Sequence, residues 1–127
     1  MPLERVDPKG QGQERGFVPA IKAGGTIYVS GQVGRGPDGN LAGPDITSQT
    51  RQVFENLKSV LALAGAGFEH MTKITVFLTK EEYMGGFRAV RSEYFKGGSY
   101  PTSTLVIISA LAQPDILVEV EAIAYVG

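Results

Sequence analysis

Cysteine and tryptophan are absent from this 127-residue sequence, and histidine occurs once. Without thiols there are no disulfides, no thiolate nucleophile and no cysteine–zinc centre. A single imidazole leaves few ways to build a transition-metal site, so neither a metal nor a cofactor is expected. An excess of one charge is also missing. Lysine and arginine number 12 against 13 aspartates and glutamates, a net charge of −1, and the basic residues form no run. A nucleic-acid partner calls for a basic face and is therefore not expected. No apolar run approaches the length that spans a bilayer. The opening "MPLERVDPKG" lacks the apolar core of a secretory signal. These absences point to a cytoplasmic protein with no membrane and no nucleic-acid partner.

What is present is an ordinary globular composition, 43% hydrophobic and 20% charged. With no repeat, low-complexity tract or linker, residues 1–127 read as one domain. "LERV" reads as a short first strand, and "DPKGQGQERG" as a polar, glycine-rich loop. "FVPAIKAG" and "TIYVSGQV" read as a hairpin turning at Gly24–Gly25. "GRGPDGNLAGP" is turn chemistry throughout. The overlapping "GQVGRGPDG" lacks the lysine of a phosphate-binding loop and reads as a plain turn.

Ile46, Thr50, Val53, Leu57, Val60, Leu61 and Ala64 recur at helical spacing, with Asp45 as N-cap and Gly65 and Gly67 as stops. "TKITVFL" alternates as a strand with Ile74, Val76 and Leu78 on one face. Residues 81–95 predict a second helix, weakened by Gly85 and Gly86. "STLVIIS" and "ILVEVEAIAYV" supply two last strands.

The predicted order is β-β-β-α-β-α-β-β, an α+β fold with a six-stranded mixed sheet and two helices on one face. Two helices cannot cover both faces of such a sheet. Yet "TLVII" and "TIYV" are apolar on both sides, as in strands buried on both. The simplest cover for the open face is another copy of the chain in a closed ring. In the last strand, Ile116, Val118, Val120, Ala122 and Ala124 form a small apolar face suited to packing under the helices. Leu117, Glu119, Glu121, Ile123 and Tyr125 form the other, which would look towards a neighbour. A carboxylate in such a strand is costly unless something receives it.

The strand order, "IYVSGQV" before a turn-rich loop, "TRQVFENLKSVLALAGAG" in the first helix, "KITVFL", "YP" before a strand and "LVEVEAIAYV" together resemble the reactive-intermediate deaminase family, YjgF/YER057c/UK114. The resemblance covers nearly the whole chain. It implies a chorismate-mutase-like fold, a homotrimer with three intersubunit clefts, and hydrolysis of enamines or imines to ammonia and a 2-oxo acid. It implies that Glu119, the first glutamate of the "VEVEA" segment, positions the attacking water and that Gly31 of "SGQ" lines the pocket with its backbone.

The sequence departs from the family where a substrate carboxylate would be gripped. Members active on 2-imino acids carry an arginine two residues after the proline. Here "YPTSTLV" places Ser103 there, followed by Thr104, and a hydroxyl supplies neither charge nor a planar fork. Where deaminating members have "YSQA" or "YSPA", this chain reads "FVPA", with Phe17 and Val18 in place of two polar anchors. Arg88 stands where many members have asparagine, and Arg91 lies one turn on, on the same helix face.

The catalytic candidate is thus Glu119, and the substrate-binding candidates are Phe17, Val18, Gly31, Arg88, Ser103 and Thr104. Against them stand plain alternatives: Glu119 paired with a neighbouring subunit's lysine or backbone, Ser103 and Thr104 as strand-starting residues, and Arg88 and Arg91 as solvated charges. Glu121 reads as structural, and His70 as a surface or loop residue. The expectation is a divergent member that binds a small imine, enamine or related carbonyl compound and is not a standard 2-aminoacrylate or 2-iminobutanoate deaminase. The alternative is a non-catalytic small-molecule-binding or protein-stabilising trimer. Some relatives are called endoribonucleases, but the chain has no histidine pair, metal cluster or basic groove to support that.

Overall fold

A computed structural model describes residues 2–127. Strands β1 (Leu3–Val6), β2 (Ala20–Ala23) and β3 (Thr26–Val33) come first, with a short helix α1 (Gly12–Arg15) between β1 and β2. Helix α2 (Ile46–Leu63), β4 (Met71–Leu78), helix α3 (Met84–Tyr94), β5 (Thr102–Ile107) and β6 (Val118–Tyr125) follow. The sheet order is β1-β2-β3-β6-β4-β5, so β6 lies in the middle. Among the described residues only β4 and β5 pair in parallel; the other pairs are antiparallel. The sheet is therefore mixed, and the chorismate-mutase-like α+β reading holds.

Helix α2 forms as its apolar spacing predicts. The Asp45 carboxylate accepts from the Ser48 N–H at 2.9 Å, which caps the start. At the other end Gly65 takes φ +82°, and the Ala66 N–H reaches back to the Leu61 carbonyl at 2.8 Å. Val53, Phe54, Leu57 and Leu61 are fully buried against Ile27, Ile74, Val76, Val118 and Ala124 of the sheet and Phe87 and Val90 of α3. Both long helices thus share one core on one sheet face. Within α3, a side chain on Gly86 would meet the Ile46 methyl at 2.7 Å, so this glycine lets α3 close on the start of α2.

Gln49 is also wholly buried, although it is polar. Its amide donates to the Gly43 and Asp115 carbonyls, each at 3.0 Å, and accepts from the Leu117 N–H at 2.9 Å. One side chain therefore ties the α2 start to the entry of β6.

Three local readings change. The "DPKGQGQERG" loop contains α1, because the Asp7 carboxylate accepts from the Gln11 and Gly12 N–H groups and organises that turn. Phe17, Val18 and Pro19 precede β2 rather than form it. The second helix begins with a 3₁₀ turn, Glu81–Tyr83, and is regular only from Met84. The open sheet face has no cover among the described residues: Tyr28 is 50%, Val106 38% and Tyr125 57% exposed there, on the side expected to need a second copy.

Candidate functional site

Strand β3 does not run straight past β6. Val29 pairs with Ala122 and Gln32 with Val120, so Ser30 and Gly31 together oppose Glu121 alone. This bulge resets which residues face which way. Beyond it Val33 stands opposite Glu119 on the open face, and Phe77 of β4 flanks Glu119 on the other side.

Glu119 is half-buried between these apolar neighbours, and no cation pairs with it among the described residues. Loss of hydration holds its carboxyl above the usual carboxylate range, and the charge of Glu121 adds to the effect. Gly31 lies directly against it. A Cβ at residue 31 would come within 2.8 Å of the Glu119 Cδ. The glycine therefore makes the space the carboxylate occupies. A carboxyl of raised proton affinity on an open surface is suited to orienting a water and taking a proton from it.

The segment before β2 docks beside this bulge. The Ser30 hydroxyl donates to the Val18 carbonyl at 2.6 Å, and the Ser30 N–H to the Pro19 carbonyl at 2.9 Å. Phe17 is exposed, with the Arg15 guanidinium 4.6 Å over its ring. Phe17 and Gly31 share the lining of a cavity of about 580 Å³ with Lys9, Arg35 and Asn56. Phe17 and Val18 line a second, of about 700 Å³, with Arg5, Tyr28 and Ser30. Glu119 borders neither.

Ser103 is placed elsewhere. It pairs in parallel with Ile74, which pairs with Ala122, so its side chain belongs to the helix side of the sheet. Leu105, two residues on, packs against the core and confirms that side. Glu119 is on the opposite face and two strands away, about 10 Å at ordinary strand spacing. Ser103 and Glu119 therefore do not meet within one chain, and lining one pocket would take a second copy, as the intersubunit-cleft expectation has it. The parallel register of β5 puts odd-numbered residues inward. Thr104, on the open face, accepts from the Lys73 ammonium at 3.1 Å. Arg88 is exposed on α3. The chain thus brings Phe17, Val18, Gly31 and Glu119 into one neighbourhood and leaves Ser103 and Thr104 on β5 and Arg88 exposed on α3.

Sequence reasoning missed several supporting residues. Besides Ser30, Asn56 donates to the Val33 and Arg35 carbonyls at 3.0 and 2.8 Å and holds the loop after β3. Arg35 bonds Gln113 and the Gly39 carbonyl and lies 3.8 Å from Asp115. Asn56 and Gln49 carry a signal that could have found them: each is an amide on the inward-facing side of an otherwise apolar helix. His70 is structural, its Nδ1 accepting from the Gly67 N–H at 3.0 Å. No helix among the described residues is long and apolar enough to cross a membrane.

The comparisons agree with this architecture. The family model described as endoribonuclease L-PSP matches residues 11–126. A RutC family protein of Pyrococcus horikoshii is 41% identical over 107 residues, 84% of this chain and 83% of that one. The solved structure of a Rid-family protein of unknown function from Yersinia pestis superposes with a TM-score of 0.89 at 35% identity, covering 98% of this chain and all of that one. That of a YjgF/YER057c/UK114 member from Mycobacterium tuberculosis gives 0.85 at 27% identity, with the same coverage. A match over nearly the whole chain, on the same six-stranded sheet, establishes that this protein belongs to the YjgF/YER057c/UK114 family, which includes the Rid and RutC proteins.

Proposed function

We propose that the protein hydrolyses a small, partly apolar imine, enamine or related carbonyl compound in a cleft between subunits of a homotrimer. Glu119 orients the attacking water there. The observation that carries this reading is the Glu119 carboxyl itself: unpaired among the described residues, raised in proton affinity, and set against Gly31 on an open sheet face. Family membership supports the trimer and the reaction type. The opposite-face placement of Ser103 and Glu119 supports a two-chain cleft, since a second copy must supply the β5 edge if the two are to meet.

Ser103 makes free 2-imino acids poor substrates, because it offers their carboxylate no charge-assisted fork. Phe17 and Val18 make the approach more apolar. The same replacements favour a second reading, a trimer that binds a small molecule without turning it over.

Purified protein, a panel of neutral imines and free 2-imino acids, and Glu119→Ala separate the two. General acid–base assistance is worth about 10²–10⁴-fold, so the variant should lose ammonia release by that order on the preferred imine. Ser103→Arg should raise affinity for 2-oxo acids. Equal, background-level ammonia release by wild type and Glu119→Ala across the panel would leave the non-catalytic reading. A stable monomer in sedimentation at micromolar concentration would rule out the intersubunit cleft.

A further inference from the structure

Arg91 of α3 is half-buried, and its guanidinium lies between two aromatic rings, 5.9 Å from the centre of Phe87 and 5.5 Å from that of Tyr100. Its Nε is shut off from solvent and has no hydrogen-bond partner. No carboxylate lies within ion-pair distance of it among the described residues. The acids of the two nearby helices are engaged elsewhere: Glu93 pairs with Arg51 at 3.0 Å, and Glu55 accepts from the Tyr94 hydroxyl at 2.7 Å. A partly desolvated guanidinium that no described residue neutralises is costly to hold. Ring contacts hold such a group in place yet leave its N–H groups in need of acceptors.

We propose that Arg91 is an anchor for the carboxylate of a small acid, at the end of the sheet where β5 begins. The chemistry favours a carboxylate because its two oxygens lie in one plane and match the planar fork of the guanidinium. Tyr100 is half exposed and gives the acid an apolar surface beside the charge. Arg88, one turn earlier and exposed, adds positive charge without a partner of its own.

The anchor is separate from Glu119 of the same chain. Glu119 shares a row with Phe77 and Val106, and Val106 is six residues past Tyr100. At ordinary strand rise that is about 20 Å. An acid held by Arg91 therefore keeps its carboxylate well away from the Glu119 of its own chain. The site is a property of α3 and β5 and does not depend on hydrolysis.

The test is binding of pyruvate and propionate to the intact protein, with propionamide as the uncharged control. A dissociation constant of about 1 mM is expected for the acids. Arg91→Gln should weaken it at least about 10-fold, and Arg91→Lys, which keeps the charge and loses the fork, should recover only part. In wild-type protein, pyruvate should shift the Arg91 Nε–H resonance and propionamide should not. That readout decides the matter if the variants fold poorly. Unchanged pyruvate affinity in Arg91→Gln, loss of binding in Arg88→Gln alone, an unmoved Nε–H, or tighter binding of inorganic phosphate than of pyruvate would each overturn the proposal. Loss of hydrolysis in Glu119→Ala with pyruvate binding intact is expected, since Glu119 is no part of the anchor.

Discussion

A Cβ on residue 31 would sit 2.8 Å from the Cδ of Glu119 and nearer still to its Oε2, so the absence of a side chain at Gly31 is what lets the carboxylate lie where it does. The first prediction comes from the kind of clash this would be. Gly31 does not use a positive φ, and the opposing atoms are the mobile end of a glutamate. Gly31→Ala should therefore fold, with a melting temperature within a few degrees of wild type, while the carboxylate swings aside. Hydrolysis should fall by about 10²-fold, the lower range of a lost acid–base group. Calorimetry and ammonia release on one sample check both halves; full activity would mean the carboxylate position is irrelevant.

Glu119 also makes stability depend on pH. Because its folded pKa is raised, the folded chain holds that proton more tightly than the unfolded chain does. Below the ordinary value of 4.5 both states are protonated and nothing is lost. As pH rises through 4.5 and past the raised folded value, ionisation increasingly favours the unfolded state. Glu119→Gln should accordingly raise the melting temperature at about pH 8 and leave it unchanged at about pH 3.5. A variant less stable than wild type at neutral pH would show that Glu119 has found a cation.

Gln49 supports the entry to β6 through three hydrogen bonds. Gln49→Leu nearly conserves volume but strands the Leu117 N–H and two carbonyls. One stranded buried group costs about 1–3 kcal/mol, so a loss of about 3 kcal/mol or more is expected. The midpoint of a urea titration should move down accordingly, with the slope unchanged if the fold is kept.

Tyr94 offers a spectroscopic check on the α2–α3 packing. Burial and the hydrogen bond to Glu55 push its phenol up to about 12. Ultraviolet titration should show a phenolate step near that value, missing in Tyr94→Phe. Glu55→Gln should bring the step to lower pH, since it removes the negative charge beside the hydroxyl.

The sequence carried the local signals well and the long-range ones poorly. The Val53–Leu57–Leu61 spacing defines α2, and the alternation of Val118, Val120, Ala122 and Ala124 defines the inner face of β6. These patterns are written in neighbouring residues. The face of Ser103 is set by its parallel pairing with Ile74, 29 positions away, and nothing near Ser103 encodes that register. The bulge at Ser30 and Gly31 is likewise a property of β3 and β6 together. Helix α1 was hidden by its glycines, because its organising group is the side chain of Asp7 in the preceding segment.

The central position of β6 sets the order in which the sheet can be completed during synthesis. Of the six described strands it is made last, yet it is the one that joins β3 to β4. Until the ribosome delivers it, β1–β3 and β4–β5 are two separate ribbons, each ending in an unpaired apolar edge. Such edges recruit other strands when left open. The nascent chain therefore passes through a stage in which most of its residues are made but its sheet is still in two pieces, and chaperone protection matters most then.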